Sequence, residues 1–315
     1  MSDLSLDLIF SLLQTLSMLA LAPLIIGIIR KVKARFQRRR GPSIIQPYYD
    51  LAKLFHKGST ESSTASWVFH IAPYVCLGAV LVASLMVPFF ITNTLGIIGD
   101  LIVVVYLLAM VRFFMTLAAL DTGSAFGGMG SSREMMISAI VEPTMLLAIF
   151  TMALITGTTI LSDISYNLAS TGLDLVHPGL FLAAAAFFIC LMAENARVPF
   201  DNPATHLELT MVHEAMVLEY SGKSLAIMEL ASWTKLVLFA ALMANVFFPW
   251  GIATEVTAQA IVLGIVAILG KVVLIALVIA IIESSMAKMR LFRLPNLLTV
   301  AFTLALLGVL SYYIL

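Results

Sequence analysis

The amino-acid sequence predicts an all-α polytopic membrane protein with about eight transmembrane helices and short amphipathic helices in the connecting loops. Of its 315 residues, 61% are apolar and only 11% are charged, whereas soluble domains are about 45–50% apolar and about 25% charged. The mean hydropathy is +1.04. Eight runs of mostly apolar residues reach or approach the roughly 20 residues that a helix needs to cross a bilayer. No soluble domain interrupts them, so residues 1–315 are predicted to form a single integral membrane domain.

The eight predicted spans follow one another with short polar connections. The first span comes after Asp3 and Asp7 rather than after the basic region of a secretory signal, so we expect it to be retained. The fifth span is the shortest. The predicted boundaries are residues 6–29, 68–91, 101–120, 134–157, 178–193, 224–248, 259–282 and 296–314.

The distribution of basic residues predicts the orientation of the chain in the membrane. Loops that hold an excess of Lys and Arg near helix ends face the cytoplasm. Fifteen of the eighteen basic residues fall on one side of the predicted spans, and the other three, Arg112, Lys235 and Lys271, fall within spans. We therefore expect both termini outside and the large loops in the cytoplasm. The expected location is the plasma (inner) membrane of a prokaryote.

Three predicted cytoplasmic loops contain more sequence features than a simple connection between two spans requires. The first contains a basic run and then residues 47–57, in which apolar side chains recur at helical spacing. This pattern predicts a short amphipathic helix at the interface, and an anchor for anionic lipid is the simplest interpretation. The second, residues 121–133, is rich in glycine and is typical of a flexible turn. The third, residues 193–222, carries most of the chemically active side chains.

Charged residues inside the predicted spans are the strongest indication of function. Arg112, Glu142, Lys235 and Lys271 each lie in a different span, and a charge at the bilayer centre costs roughly 2.5–3.5 kcal/mol on insertion scales. Four such charges must face each other, buried polar groups or water. Structural ion pairs are one explanation. A shared polar track is the alternative, and Pro143 would open the helix hydrogen bonding beside Glu142.

The composition argues against several other classes of protein. Eighteen basic and eighteen acidic residues cancel, so nothing indicates binding to nucleic acid. The two cysteines, Cys76 and Cys190, are too few for the four thiolates that usually hold an iron–sulfur cluster. His206 and His213 are seven positions apart and cannot face each other across one haem iron. We therefore predict no catalytic site, no metal and no cofactor in this chain.

Four stretches resemble a known family. They are RRRGP at 38–42, DTGSAF at 121–126 with SRE at 132–134, ENARVPFD at 194–201 with EYSG at 219–222, and ESSMAKMR at 283–290. The first and third are similar to the H subunit of respiratory complex I and its hydrogenase relatives. The second and fourth are nearer to the membrane subunits of formate hydrogenlyase and hydrogenase-4. The resemblance covers nearly the whole chain.

The resemblance implies a membrane-anchoring and energy-coupling subunit that links a cytoplasmic redox arm to proton or sodium translocation. The implied partners are a nickel–iron hydrogenase-like large subunit, an iron–sulfur small subunit, antiporter-like membrane subunits and membrane lipid, with the iron–sulfur clusters and the nickel–iron centre in the partners. The proposed coupling path comprises Glu134, Glu142, Glu208, Glu219, Arg112, Lys235 and Lys271. The expected docking residues for the arm are Arg38, Arg39, Arg40, Phe55, Arg197 and Asp201.

The third loop departs from the family pattern. Relatives show three alternating carboxylates after the Pro-Phe-Asp motif, but here the positions are Ala204, His206 and Glu208, and an added pair, His213-Glu214, follows. Two other functions stay open. One is the quinone-cavity-forming H subunit of an NADH-quinone oxidoreductase, and the other is a freestanding secondary transporter, although the internal repeats typical of many transporters are missing.

Overall fold

The computed structural model describes residues 2–60, 62, 64–92, 99–171, 178–202 and 211–314. These residues form helices joined by loops, and the only β-type pairings among them are two isolated bridges, Ile91 with Ala253 and Asp100 with Ile160. The predicted all-α class is therefore confirmed.

Eleven α-helices occur in the described part of the chain. They are α1 (Ser2–Phe36), α2 (Gln46–His56), α3 (Trp67–Met86), α4 (Leu101–Asp121), α5 (Ala125–Thr156), α6 (Leu161–Thr171), α7 (Pro178–Glu194), α8 (His213–Val217), α9 (Gly222–Leu242), α10 (Ala258–Ser285) and α11 (Leu294–Ile314). A π-helical turn, Met243–Phe247, continues α9, and a 3₁₀ turn, Leu291–Arg293, precedes α11.

The helices that correspond to the predicted spans are long and apolar. Seven of them have the length and composition to cross a membrane, and α7 is a shorter apolar helix of 17 residues. At 1.5 Å per residue α7 extends about 25 Å, slightly less than the hydrocarbon core of a bilayer. Each predicted span thus matches a helix. The amphipathic helix expected at residues 47–57 is α2.

One local prediction was wrong, and one helix was not predicted. The glycine-rich stretch at 121–133 is not a turn throughout, because α5 begins at Ala125 and the Ser124 hydroxyl caps it by accepting a hydrogen bond from Gly127 N at 3.0 Å. The glycines permit close packing: a Cβ on Gly130 would lie 2.8 Å from Val212 O. In addition, α6 was not predicted as a helix.

The two sides of the bundle differ in their connections. We call the end that carries α2, α8 and the segments next to them the loop side, and the end that carries α6 and residues 87–92 and 248–257 the opposite side. Within the bundle, α11 packs against α5 and α7, α3 against α4 and α9, and α1 against α9 and α10. On the loop side, the first and third loops are joined where Ser221 Oγ accepts a hydrogen bond from Thr60 N at 2.7 Å.

Candidate functional site

Five charged side chains from four helices meet inside the bundle. Arg112 on α4 lies at the centre, with Nε 3.9 Å from Glu134 Oε1 and Nη1 3.8 Å from Glu142 Oε1, both on α5. Arg112 Nε donates a hydrogen bond to Glu194 Oε2 at 3.1 Å, and Lys235 Nζ of α9 lies 3.0 Å from the same oxygen. We call these five residues the charge cluster.

Burial separates one member of the charge cluster from the rest. The side chains of Arg112, Glu134, Glu194 and Lys235 are at most 5% exposed, whereas the side chain of Glu142 is 38% exposed. Three carboxylates and two cations leave the cluster with a formal charge of −1. Because an uncompensated buried charge is costly, one bound proton would neutralise the cluster. The arrangement can therefore hold and release a proton.

The structure brings together four of the seven residues of the predicted coupling path. Arg112, Glu134, Glu142 and Lys235 are together in the charge cluster. Glu208 lies outside the described residues. Glu219, between α8 and α9, forms no ion pair with another described residue.

Lys271 is placed elsewhere. Its Nζ donates to Phe248 O at 2.6 Å and to Ala244 O at 3.3 Å, and it lies 3.5 Å from Asn245 Oδ1. These oxygens belong to the π-helical turn and the residue that follows it, near the opposite side. Lys271 therefore lies apart from the charge cluster, with carbonyl and amide oxygens as its contacts.

Three buried phenylalanines pack together on α7, α9 and the π-helical turn. Phe187, Phe239 and Phe247 are fully buried, and their ring centroids are 5.9 Å apart for Phe187 and Phe239 and 5.2 Å apart for Phe187 and Phe247. Lys235 Nζ lies 6.0 Å from the Phe239 ring centroid. Along α9 and its π-helical turn, both Phe239 and Phe247 come after Lys235 and before the carbonyl of Phe248 that binds Lys271.

Glu194 is the cluster member that sequence reasoning left without a role. It is the last residue of α7 and lies at the start of the third loop, residues 193–222. The sequence indicated only that it lies near the end of a span, within the ENARVPFD motif. Its pairing with Arg112, 82 positions earlier in the chain, depends on the packing of α4 against its neighbours.

A cavity of about 640 Å³ opens on the loop side next to the charge cluster. Apolar and charged side chains both line it, and Arg30 lies over the Trp233 ring at 5.8 Å. Burial, reinforced by the negative charge of Glu229, raises the pKa of Glu214 to about 7. The lining includes Ile29, Arg30, Lys33, Arg39, Arg40, Met115, Asn195, Arg197, His213, Glu214, Met228, Glu229, Trp233 and Glu283.

Ion pairs join the third loop to the segment after α10, and α10 to α1. Asp201 Oδ1 lies 2.5 Å from Lys288 Nζ, and Asp201 Oδ2 accepts hydrogen bonds from the backbone N–H groups of Val212 and His213, both at 3.0 Å. Glu283 Oε2 lies 2.7 Å from Lys33 Nζ on α1. The loop is therefore anchored by carboxylates that water does not reach.

These contacts divide the expected docking residues into two groups. Arg38, Arg39, Arg40 and Phe55 are exposed on the loop side. Arg197 lies 3.5 Å from Glu283 and is 12% exposed, and the side chain of Asp201 is only 4% exposed. Asp201 is thus placed to shape the third loop, and not to contact a second protein directly. Among the described residues, no group of three or more His, Cys, Asp and Glu could hold a metal ion.

Comparisons with known proteins give a consistent picture. The family model for NADH dehydrogenase matches residues 9–313. The chain is 36% identical over 304 residues to formate hydrogenlyase subunit 4 of Escherichia coli (strain K12), covering 96% of this chain and 98% of the relative. It is also 36% identical to hydrogenase-4 component C of the same organism, over 95% of this chain and 94% of the relative.

More distant similarity extends to complex I subunits and to a solved structure. The H subunit of NADH-quinone oxidoreductase from Anaplasma phagocytophilum (strain HZ) is 28% identical over 240 residues, 69% of each chain. A chain of the membrane-bound sulfane sulfur reductase, an archaeal respiratory membrane complex, shares the fold with a TM-score of 0.84 at 24% identity, over 96% of this chain and 98% of that chain.

Proposed function

The chain belongs to the NADH dehydrogenase family, and we propose that it is the membrane-anchoring and energy-coupling subunit of a hydrogenase-4 or formate hydrogenlyase type of complex. In this role it links a cytoplasmic redox arm to the translocation of protons or sodium ions. The proposed partners are a nickel–iron large subunit, an iron–sulfur small subunit and antiporter-like membrane subunits. The redox groups belong to those partners, and the loop side faces the cytoplasm.

The charge cluster is the observation that carries this proposal. Arg112 is shared by three carboxylates, and one of them, Glu194, lies at the start of the third loop. A movement of that loop would change how closely Glu194 approaches Arg112. Any carboxylate that loses the guanidinium is left with a buried, uncompensated charge and takes up a proton, and the reverse movement releases it. The cluster can thus convert a displacement at the loop side into a proton transfer.

We propose that a proton leaves the charge cluster through Glu142. Its side chain is 38% exposed on a membrane-spanning helix, where contact of a carboxylate with lipid costs several kcal/mol. Pro143, which follows it, is also exposed. We therefore propose that a neighbouring membrane subunit covers this position. The proton moves sideways to that subunit, and Lys271, whose Nζ contacts carbonyl and amide oxygens, is not part of the route.

Substitution of Glu142 tests the coupling role. Glu142→Gln keeps the side-chain shape and removes the charge, so the complex should assemble and retain redox turnover while ion translocation in proteoliposomes falls. Glu255→Gln, which changes an exposed carboxylate on the opposite side, serves as the matched control. Normal translocation by the assembled Glu142→Gln complex would remove Glu142 from the path. Failure of that variant to assemble would instead favour a static ion pair.

Docking of the arm calls for a separate experiment. Arg38, Arg39 and Arg40 form an exposed basic run just after the end of α1, whereas Arg35 is exposed in the last turn of the helix. Replacing the three arginines with alanine should lower the salt concentration at which the arm dissociates from membranes, and Arg35→Ala should have a smaller effect. An unchanged salt resistance of the triple variant would contradict the assignment of these residues to docking.

The cavity favours a second candidate function, the formation of a quinone cavity as in the H subunit of an NADH-quinone oxidoreductase. Its volume of about 640 Å³ and its mixture of apolar and charged walls suit a small aromatic head group. The composition of the purified complex separates the two candidates. Co-purification of a nickel–iron subunit supports the first, and co-purification of an NADH-oxidising module supports the second.

A further inference from the structure

The residues around His213 hold its backbone in a fixed place. Its N–H donates to Asp201 Oδ2 at 3.0 Å, as does the N–H of Val212. One residue earlier, Met211 O accepts a hydrogen bond from Arg133 Nη1 of α5 at 2.7 Å. Three consecutive residues are therefore anchored just where α8 begins, so the imidazole starts from a well-defined position.

This position lies between the cavity and the charge cluster. His213 lines the cavity. Its helix packs against α5 at Gly130, where a Cβ would come within 2.9 Å of the Ala215 side chain. Glu134 is four residues after Gly130 and so lies on the same face of α5, one turn deeper in the bundle. α8 therefore packs on α5 about one turn from Glu134, and His213 is the residue next to Val212 at this contact.

Charged groups from each neighbouring element surround the imidazole. Glu134 of α5, Lys235 of α9, and Asp201 and Arg197 of the third loop all act on it electrostatically. Glu214 follows it in the chain, and α4, which also packs against α8, contributes Arg112 to the cluster. Burial lowers the pKa of His213, an effect that Glu134 opposes. The ring is therefore mostly neutral at neutral pH, with one nitrogen that carries a proton and one that can accept a proton.

We infer that His213 relays protons between the loop-side cavity and the charge cluster. One ring nitrogen takes a proton from water or from Glu214 in the cavity, and the other ring nitrogen gives its proton to the Glu134 carboxylate. One N–H bond forms and one breaks, no electrons are transferred, and rotation or tautomerisation returns the ring to its starting state. This inference rests on the proposed coupling function, and it assigns a role to the added His213-Glu214 pair of the third loop.

Chemical rescue tests the relay in the intact complex. His213→Ala keeps the backbone N–H that bonds to Asp201 and removes the ring. Redox turnover should persist, while the rate of ion translocation falls by about 10²-fold, the lower end of what a positioned proton-transfer group contributes. Added imidazole should restore part of the rate because it fits the cavity, and its effect should increase with pH through the pKa of free imidazole. His70→Ala, an exposed histidine at the start of α3, is the control.

The outcomes distinguish the relay from the proposed function. If the wild-type complex moves no ions, the coupling function itself fails. If the wild type and the assembled His213→Ala complex move ions equally well at every pH, only the relay is overturned. A loss that imidazole does not rescue also overturns it. If both His213→Ala and His213→Gln fail to assemble, the ring is structural and the relay is again overturned.

Discussion

Two lysines inside the membrane region, Lys235 and Lys271, have opposite surroundings. Lys235 on α9 lies 3.0 Å from a carboxylate oxygen of Glu194 and belongs to a group of five charges. Lys271 on α10 binds two main-chain carbonyls, and the side-chain oxygen of Asn245 lies 3.5 Å away. From the sequence alone, both residues are single cations in apolar helices.

The chemistry of the partners decides what each lysine can do. Carboxylates gain and lose protons, so the ammonium of Lys235 influences which of them is charged. Carbonyl and amide oxygens do not titrate in the physiological range, so the ammonium of Lys271 satisfies carbonyls that the π-helical turn leaves free. Lys235 therefore belongs to a site that can exchange protons, and Lys271 stabilises the end of a helix.

Removal of Arg112 is expected to have the largest effect. Arg112→Leu leaves three carboxylates with one lysine, and breaking a buried ion pair costs about 3–5 kcal/mol. The level of the subunit in membranes and its thermal unfolding temperature in detergent should both fall sharply. Arg112→Lys should recover only part of the loss, because an ammonium lacks the fork that serves several carboxylates at once. A stable, assembled Arg112→Leu complex would show that the cluster does not depend on its central cation.

Removal of Lys235 should lower ion translocation more than stability. Lys235→Met changes the formal charge of the cluster from −1 to −2, which favours retention of a proton. The ratio of ions moved to redox turnover should therefore decrease. This ratio can be measured with a pH-sensitive dye in proteoliposomes alongside the redox assay. An unchanged ratio would remove the functional distinction between the two lysines.

Removal of Lys271 should lower stability more than ion translocation. Lys271→Met leaves the carbonyls of Ala244 and Phe248 without their donor, which costs about 1–3 kcal/mol. The thermal unfolding temperature should decrease, while the ratio of ions to redox turnover stays at the wild-type value in the assembled complex. A decrease in that ratio would place Lys271 in the path.

The smallest effect is expected for a substitution of Glu214, which lines the cavity and is not a member of the charge cluster. Because its pKa is raised to about 7 in the folded protein, the folded state binds a proton that the unfolded state releases near pH 4.5. The contribution of Glu214 to the free energy of unfolding is therefore largest below about pH 4.5, decreases as the pH rises toward 7, and is then constant. Glu214→Gln should flatten the dependence of the unfolding temperature on pH between about 5 and about 8. An identical slope in both proteins would contradict the raised pKa.

Much of the fold follows from the sequence because membrane insertion is a local property. Length and apolarity of each segment predicted the eight helices, and helical spacing predicted α2. The helix α6 was missed because 11 residues are too few to span a bilayer. The glycine-rich start of α5 was interpreted as a turn because the close approach of Val212 to Gly130 involves residues more than 80 positions apart.

The sequence by itself determined that several charges lie within the membrane and that they cannot all face lipid. Only the tertiary structure decided that Glu194 joins Arg112, that Asp201 is buried, and that Lys271 binds carbonyls instead of carboxylates. The spanning helices carry apolar residues on nearly every face, so the sequence does not indicate which face of each helix packs against which neighbouring helix. Helix pairing in lipid depends on the fit of small residues and on interhelical hydrogen bonds. Those contacts join residues that are far apart in the chain, and no local pattern records them.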